Sequence, residues 1–169
     1  MIIGICVLTN TIGNIKGFIE FIQKENENVI IKVNINGLKP GKHGIHIHEA
    51  GDLTDSCSTA CKHFNPNNKN HGGPNSKERH IGDLGNIISN KKGECIKTFV
   101  DSKIKLKGKN SIIGRSVVIH DLEDDLGKGG VDKNNNIINE HVYNESKKTG
   151  NAGKRIGCGV IGYSSKMFN

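Results

Sequence analysis

Between Val29 and Asn36 the chain alternates strictly, with Val29, Ile31, Val33 and Ile35 on one side and Lys32, Asn34 and Asn36 on the other. Successive side chains of a strand point to opposite faces, so this pattern suits a strand with one face in a core and one in water. Similar short runs recur at Ile2–Leu8, Ile15–Ile22, Ile45–His48, Leu84–Ser89, Ile96–Val100, Arg115–His120 and Arg155–Tyr163. Turn pairs such as Asn36-Gly37, Pro40-Gly41 and Lys92-Gly93 separate them, which makes about eight strands. No window of a dozen residues carries an amphipathic helical pattern free of glycine and β-branched residues, and Asp121–Leu126 reads as at most one helical turn. The expectation is an all-β antiparallel sandwich or barrel. Composition agrees, because a chain without Trp but rich in Ile and Val must build its core from β-branched aliphatics. Its 169 residues suit one domain spanning 1–169.

The apolar run Met1–Leu8 is short, with no positive segment before it and no small-residue cleavage site after it, so it reads as a first strand and not as a secretory signal. No stretch approaches the ~20 apolar residues of a bilayer span. A cytoplasmic protein without membrane contact is expected. The 24 Lys+Arg against 17 Asp+Glu leave a charge of +7, but the lysines are scattered and no aromatic residues interleave with them. A nucleic-acid partner is therefore not expected, whereas steering of a small anion uses the same sign of charge.

Two long segments, Gly51–Gly82 and Asp121–Gly153, lack strand patterning, and loops of that length in a compact domain are usually functional or disordered. Within the second, the polar stretch Asp132–Asn144 reads as an insertion that makes a mobile surface excursion and does not hold the barrel. Histidines mark both regions. Gly44-Ile45-His46-Ile47-His48 puts two imidazoles on one strand face, where they either meet a metal ion or simply face solvent. His120 closes the β-branched run Val117-Val118-Ile119, so a neighbouring strand could add a third imidazole. His63, His71, His80 and Asp83 are three imidazoles and a carboxylate, a set that suits tetrahedral zinc, the alternative being a solvated His-rich loop. An all-imidazole set beside it suits copper. His43 reads as a structural histidine, and His141 lies in the insertion.

In these motifs the chain resembles the copper/zinc superoxide dismutases: Gly44-Ile45-His46-Ile47-His48, His63-Phe64-Asn65-Pro66, His71-Gly72-Gly73-Pro74 and Arg79-His80-Ile81-Gly82-Asp83. The likeness continues through Asp124-Asp125-Leu126-Gly127-Lys128-Gly129-Gly130 and Gly150-Asn151-Ala152-Gly153-Lys154-Arg155-Ile156-Gly157-Cys158, leaving out only about 132–144 and the tail after Tyr163. The resemblance implies an eight-stranded Greek-key β-barrel with a metal-binding loop over about 49–83 and a channel loop over about 121–153. It implies copper on His46, His48, His63 and His120, and zinc on His63, His71, His80 and Asp83, with His63 shared. Asp124 would tie a copper ligand to a zinc ligand, and Arg155 would guide superoxide. The implied reaction turns two superoxide ions into oxygen and hydrogen peroxide, with His63 alternately ligand and acid. The resemblance also implies a disulfide between Cys57 and Cys158, leaving Cys6, Cys61 and Cys95 free.

A homodimer, with Tyr163 and the tail Ser164–Asn169 near its surface, and a copper-delivery chaperone as partner are inherited expectations. Two rival readings keep the barrel or the zinc but lose the enzyme: a copper-delivery protein, and a zinc-stapled nucleic-acid module. Cys61-Lys62 departs from the family, which more often has small or proline residues before this histidine; it puts an extra thiol and a cation near the bridging ligand, and the pair is expected to face solvent, the alternative being that Cys61 competes for Cys57 or for a metal. Glu145 and Lys148 match charged channel residues by their spacing from Arg155.

Overall fold

The computed structural model describes residues 1–168; Asn169, the end of the tail, lies outside the described residues. Nine strands are present among the described residues: β1 (Ile2–Val7), β2 (Asn10–Thr11), β3 (Lys16–Gln23), β4 (Val29–Asn36), β5 (Gly41–His48), β6 (Asp83–Ser89), β7 (Cys95–Asp101), β8 (Ser116–His120) and β9 (Arg155–Tyr163). The eight long ones match the runs expected from alternation, while β2 is too short to carry a pattern and exists only because it pairs with β9. Neighbours run antiparallel in the order β6-β5-β8-β9-β1-β3-β4-β7. The chain therefore passes from β4 to β5 and from β7 to β8 without pairing them, the crossovers of a Greek key. A turn at Asn90–Glu94 links β6 to β7 at the two ends of this order, and Lys97 Nζ donates to Asn86 O across the seam at 2.9 Å. The eight strands thus form a barrel.

Alternation places the core. Val29, Ile31, Val33 and Ile35 of β4 are all buried, facing Ile19 and Phe21 of β3 and Phe99 and Cys95 of β7 in register. Most of the largest fully buried side chains are isoleucine, as the lack of tryptophan requires. β5 and β8 depart from the half-buried rule: Ile45, Ile47, Val117 and Ile119 enter the core, yet the outward His46, His48, Val118 and His120 are buried as well. Something must cover that outer face, and the two long loops do.

The channel loop corrects two sequence expectations. Asp121–Leu126 forms no helix, because Asp124 N donates to Asn86 Oδ1 and Leu126 adopts a left-handed φ of 60°. A helix, α1 (Glu140–Thr149), lies instead where only loop was expected. Asn139 caps it by accepting from Val142 N at 3.0 Å, and Gly150 ends it in the left-handed region at φ 71°. Only Ser146 of the helix is buried, so no apolar stripe announces it. The insertion is likewise no free excursion: Asp132 gathers the amides of Asn134 and Asn136, Gly130 O accepts from Ile138 and Asn139, and residues 140–144 are helical. No helix among the described residues is long and apolar enough to cross a membrane.

Candidate metal centre

β5 and β8 pair with His46 opposite Val118 and His48 opposite Ser116, and His120, two residues beyond Val118, shares the same outer face by alternation, beside a register shift in the β8–β9 pairing between Ile119 and His120. The metal-binding loop then lays a fourth imidazole beside them. Phe64 N donates to Ile47 O at 2.8 Å, Glu49 N donates to Lys62 O at 2.9 Å, and His63 bridges to His48 in antiparallel fashion. The His63 ring centroid comes to lie 3.9 Å from that of His46 and 5.0 Å from that of His48. Gly82 permits this approach, since a Cβ there would sit 2.2 Å from Ile47 O.

Two sets of ligand atoms result, each within 4.8 Å: His46, His48, His63 and His120, and His46, His63, His71 and Asp83. His80 stands at the edge of the second set, its Nδ1 3.1 Å from Asp83 Oδ1 and 3.3 Å from His63 Nδ1. His63 belongs to both sets, with Nδ1 2.9 Å from Asp83 Oδ1.

Each outward imidazole is held by one nitrogen. His46 Nε2 lies 2.8 Å from Asp124 Oδ2, His48 Nδ1 lies 2.9 Å from Cys61 O, and His120 Nδ1 lies 3.1 Å from Gly153 O. The opposite atoms, His46 Nδ1, His48 Nε2 and His120 Nε2, are buried with no hydrogen-bond partner among the described residues. A buried nitrogen left without a partner costs free energy, and convergence of three is the arrangement expected of a cation site. His71 is oriented in the same way: Nε2 lies 2.8 Å from Asp124 Oδ1, and Nδ1 faces Asp83 Oδ1 at 3.0 Å. Asp124 thus touches one imidazole of each set, and Asn86 clamps its backbone with two bonds of 2.8 Å. Gly150 closes over this link, where a Cβ would fall 2.1 Å from Asp124 Oδ1 and 2.4 Å from His71 Nε2.

Electrostatics separate the two sets. Burial, reinforced by neighbouring His63, holds His46 and His48 well below the ordinary imidazole value. Burial likewise lowers His120 to about 4 and lowers His63 against the pull of its Asp83 hydrogen bond. These rings are neutral near pH 7, the form that binds metal. Burial also disfavours charge on His71, but hydrogen bonds to Asp124 and Asp83 outweigh it and raise this group to about 9. Burial would raise Asp83, yet hydrogen bonds from His63, His71 and His80 keep its carboxyl far below the carboxylate range.

Arg155, at the start of β9, donates from Nη1 to Cys57 O at 2.7 Å and from Nη2 to Cys61 O at 2.6 Å. It borders a cavity of about 420 Å³ with His48, His63, His120, Lys148 and Lys62. Lys62 is exposed, as expected, and lines the space outside the histidines. Cys57 and Cys158 form a disulfide with Cα atoms 5.8 Å apart; Cys6 and Cys95 are buried free thiols and Cys61 an exposed one. His43, whose Nδ1 lies 2.8 Å from His120 O, joins neither set and props the strand end. Sequence reasoning missed the carbonyls of Cys61 and Gly153 and the side chain of Asn86 as orienting groups. Carbonyls leave no trace in residue identity, and only the Asn86 side chain could have been flagged.

The Copper/zinc superoxide dismutase family profile matches residues 15–161. The chain belongs to the copper/zinc superoxide dismutase family. A "Superoxide dismutase [Cu-Zn]" of Paramecium bursaria Chlorella virus 1 is 55% identical over 157 residues, covering 92% of this chain and 77% of the relative. "Superoxide dismutase [Cu-Zn] 5" of Dictyostelium discoideum is 50% identical over 162 residues, covering 95% and 97%. An "Extracellular superoxide dismutase [Cu-Zn]" of Drosophila melanogaster is 50% identical over 149 residues, covering 88% and 76%. Like these superoxide dismutases the chain is an oxidoreductase that disproportionates superoxide, with copper and zinc as cofactors. The buried, unpartnered ring nitrogens fit that chemistry.

Proposed function

We propose that His46, His48, His63 and His120 hold the copper of this superoxide dismutase, that His63, His71, His80 and Asp83 hold the zinc, and that Arg155 receives the substrate. The observation carrying this reading is the convergence of His46 Nδ1, His48 Nε2 and His120 Nε2, buried and unpartnered, beside His63. Copper held there would supply the one-electron redox chemistry of the reaction, exchanging electrons with superoxide in both directions. The residues do the rest. Asp124, Cys61 O and Gly153 O fix the rings so that their free nitrogens stay aimed at one point. With Nδ1 turned to Asp83, His63 leaves Nε2 toward the imidazole cluster, where it can take a proton and pass it to the departing product. Arg155, pinned by loop carbonyls, keeps further N–H donors for an anion and cannot lose its charge.

Elemental analysis with a superoxide consumption assay, before and after copper loading, tests this reading. His48→Gln loses copper and turnover, and Asp83→Ala loosens zinc first. Arg155→Lys keeps part of the rate, Arg155→Ala loses more and Arg155→Glu loses most, each with copper still bound. Copper absent from the fully loaded parent protein would overturn the assignment.

The same reading makes 1–169 one domain that works as a homodimer. Val7 and Val160 are exposed apolar residues on the paired strands β1 and β9, and Gly51 packs against Gly114 beside Val160; sedimentation as a single monomer-sized boundary at micromolar concentration would count against it. Three free thiols, one of them exposed, suit a reducing cytoplasm, and a copper-delivery protein would be the partner that loads the metal there. Cell fractionation tests the compartment.

A further inference from the structure

We infer that Lys62 is a substrate-steering residue of this enzyme, an additional cation at the channel mouth that draws superoxide toward the copper position. The inference rests on the proposed copper site. Lys62 borders the cavity that also exposes His48, His63, His120, Lys148 and Arg155. Its backbone is fixed there: Lys62 O accepts from Glu49 N, and the next residue is His63 itself. The side chain therefore starts one residue from His63 and opposite Glu49, the residue that follows His48, which keeps its charge within side-chain reach of the mouth.

The other cations of the cavity are partly engaged. Lys148 Nζ lies 3.4 Å from Glu145 Oε1, and Arg155 donates to the carbonyls of Cys57, Ser58 and Cys61. The lysine ion pairs among the described residues join Lys32 and Lys166 to Glu20, Lys42 to Glu123 and Lys148 to Glu145, and none involves Lys62. Of the four charged side chains lining the cavity, Lys62, Lys148 and Arg155 are positive and Glu145 is negative, a net of +2 that falls to +1 without Lys62. An unpaired cation at the entrance of a concave site raises the local concentration of a small anion, and one at the rim is felt over about a 10 Å Debye length at 0.1 M salt. Lys62 is no ligand, so its contribution is to encounter and not to metal affinity.

The test compares Lys62→Gln, Lys62→Glu and Lys62→Arg with the parent protein at measured, equal copper and zinc occupancy. At low salt the second-order rate constant for superoxide falls about twofold in Lys62→Gln and roughly fivefold in Lys62→Glu, as order-of-magnitude expectations for local charge steering, while Lys62→Arg retains it. The salt slope flattens in the same order, and the rates converge at about 1 M salt, where the Debye length is about 3 Å. Azide titrated against the copper absorption gives a readout independent of turnover, and its association weakens in the same order. Lys107→Glu, which makes the same charge change beside a separate cavity lined by Met1 and Gln23, leaves both readouts at the parent value. Equal rates and equal azide affinities in parent and Lys62→Glu overturn the inference, as does an equal loss in Lys107→Glu. A copper-loaded parent without superoxide turnover overturns the metal-centre reading instead, and the azide comparison still decides Lys62.

Discussion

The two loops over β5 and β8 cover the same histidines but are fastened in different ways. The metal-binding loop is bolted to the barrel: the Cys57–Cys158 disulfide joins it to β9, and Arg115 Nη1 donates to Glu49 O while its guanidinium lies 3.6 Å from the Phe64 ring. Farther along, buried Arg79 reaches Asp101 on β7 at 2.6 Å and also donates to Pro74, His80 and Ile81 carbonyls. The channel loop has no covalent bond to the barrel, and its helix is held by polar side chains. Ser146 Oγ donates to Asp125 Oδ1 at 2.7 Å, and Asn151 Nδ2 donates to Asp125 Oδ2 at 2.6 Å. It reaches the metal centre through Asp124, through Gly153 O and through Lys147 O, which accepts from His71 N. One loop is thus part of the barrel's stability, whereas the other is stabilised largely at the site it covers.

The largest effect should come from the first loop. Arg79→Met strands the Asp101 carboxylate, and breaking a buried pair in this way costs about 3–5 kcal/mol; denaturant unfolding of the metal-free protein measures it, and a loss below 1 kcal/mol would remove the pair from the comparison. Replacing Cys57 and Cys158 by serine opens a loop of sequence separation 101. The expected cost is about 2–5 kcal/mol, together with a slower superoxide reaction because Cys57 O no longer anchors Arg155 as firmly.

A pH profile sharpens the contrast between the two ligand sets in the metal-free protein. His120, lowered to about 4, binds no proton in the folded state between its folded and unfolded values, whereas the unfolded chain does. Its contribution to stability is therefore lost as pH falls below about 6.5, by about 1.4 kcal/mol per unit, and His46, His48 and His63 act in the same direction. His71, raised to about 9, has the opposite sign: its contribution is complete below about 6.5 and is lost as pH rises through about 9. Unfolding midpoints from acid to alkaline pH should fall at both ends, and a flat acid limb would mean that these imidazoles are not buried neutral. The smallest effect belongs to the helix cap. Asn139→Ala should cost about 1 kcal/mol, felt as faster amide exchange in Glu140–Thr149 with the barrel unaffected.

The barrel was legible in the sequence because each strand needs only its own alternation. Val29 to Ile35 declare which side is core without reference to any other segment, and register follows from that side being buried. The ligand types were legible for a related reason, since His46 and His48 share a face at spacing two. The helix Glu140–Thr149 was not legible: its stability comes from Asn139, Gly150 and contacts with Asp125, and a short polar helix shows no apolar period to read. The end of the insertion was read as loop for the same reason, as five of its residues belong to that helix.

What the sequence by itself determined is the strand set, the isoleucine core and the inventory of imidazoles and carboxylates, because backbone alternation and side-chain chemistry are local properties. Only the tertiary structure decided which nitrogen of each imidazole is held and which is left free. Those choices depend on Cys61 O, Gly153 O and Asp124, brought to β5 and β8 from segments far away in the chain. It also decided that Lys62 borders the cavity instead of facing only bulk water, since the pairing of Glu49 N with Lys62 O sets where that side chain begins. Long-range backbone hydrogen bonds carry no residue signature, and for that reason the orientation of the centre is a property of the folded chain.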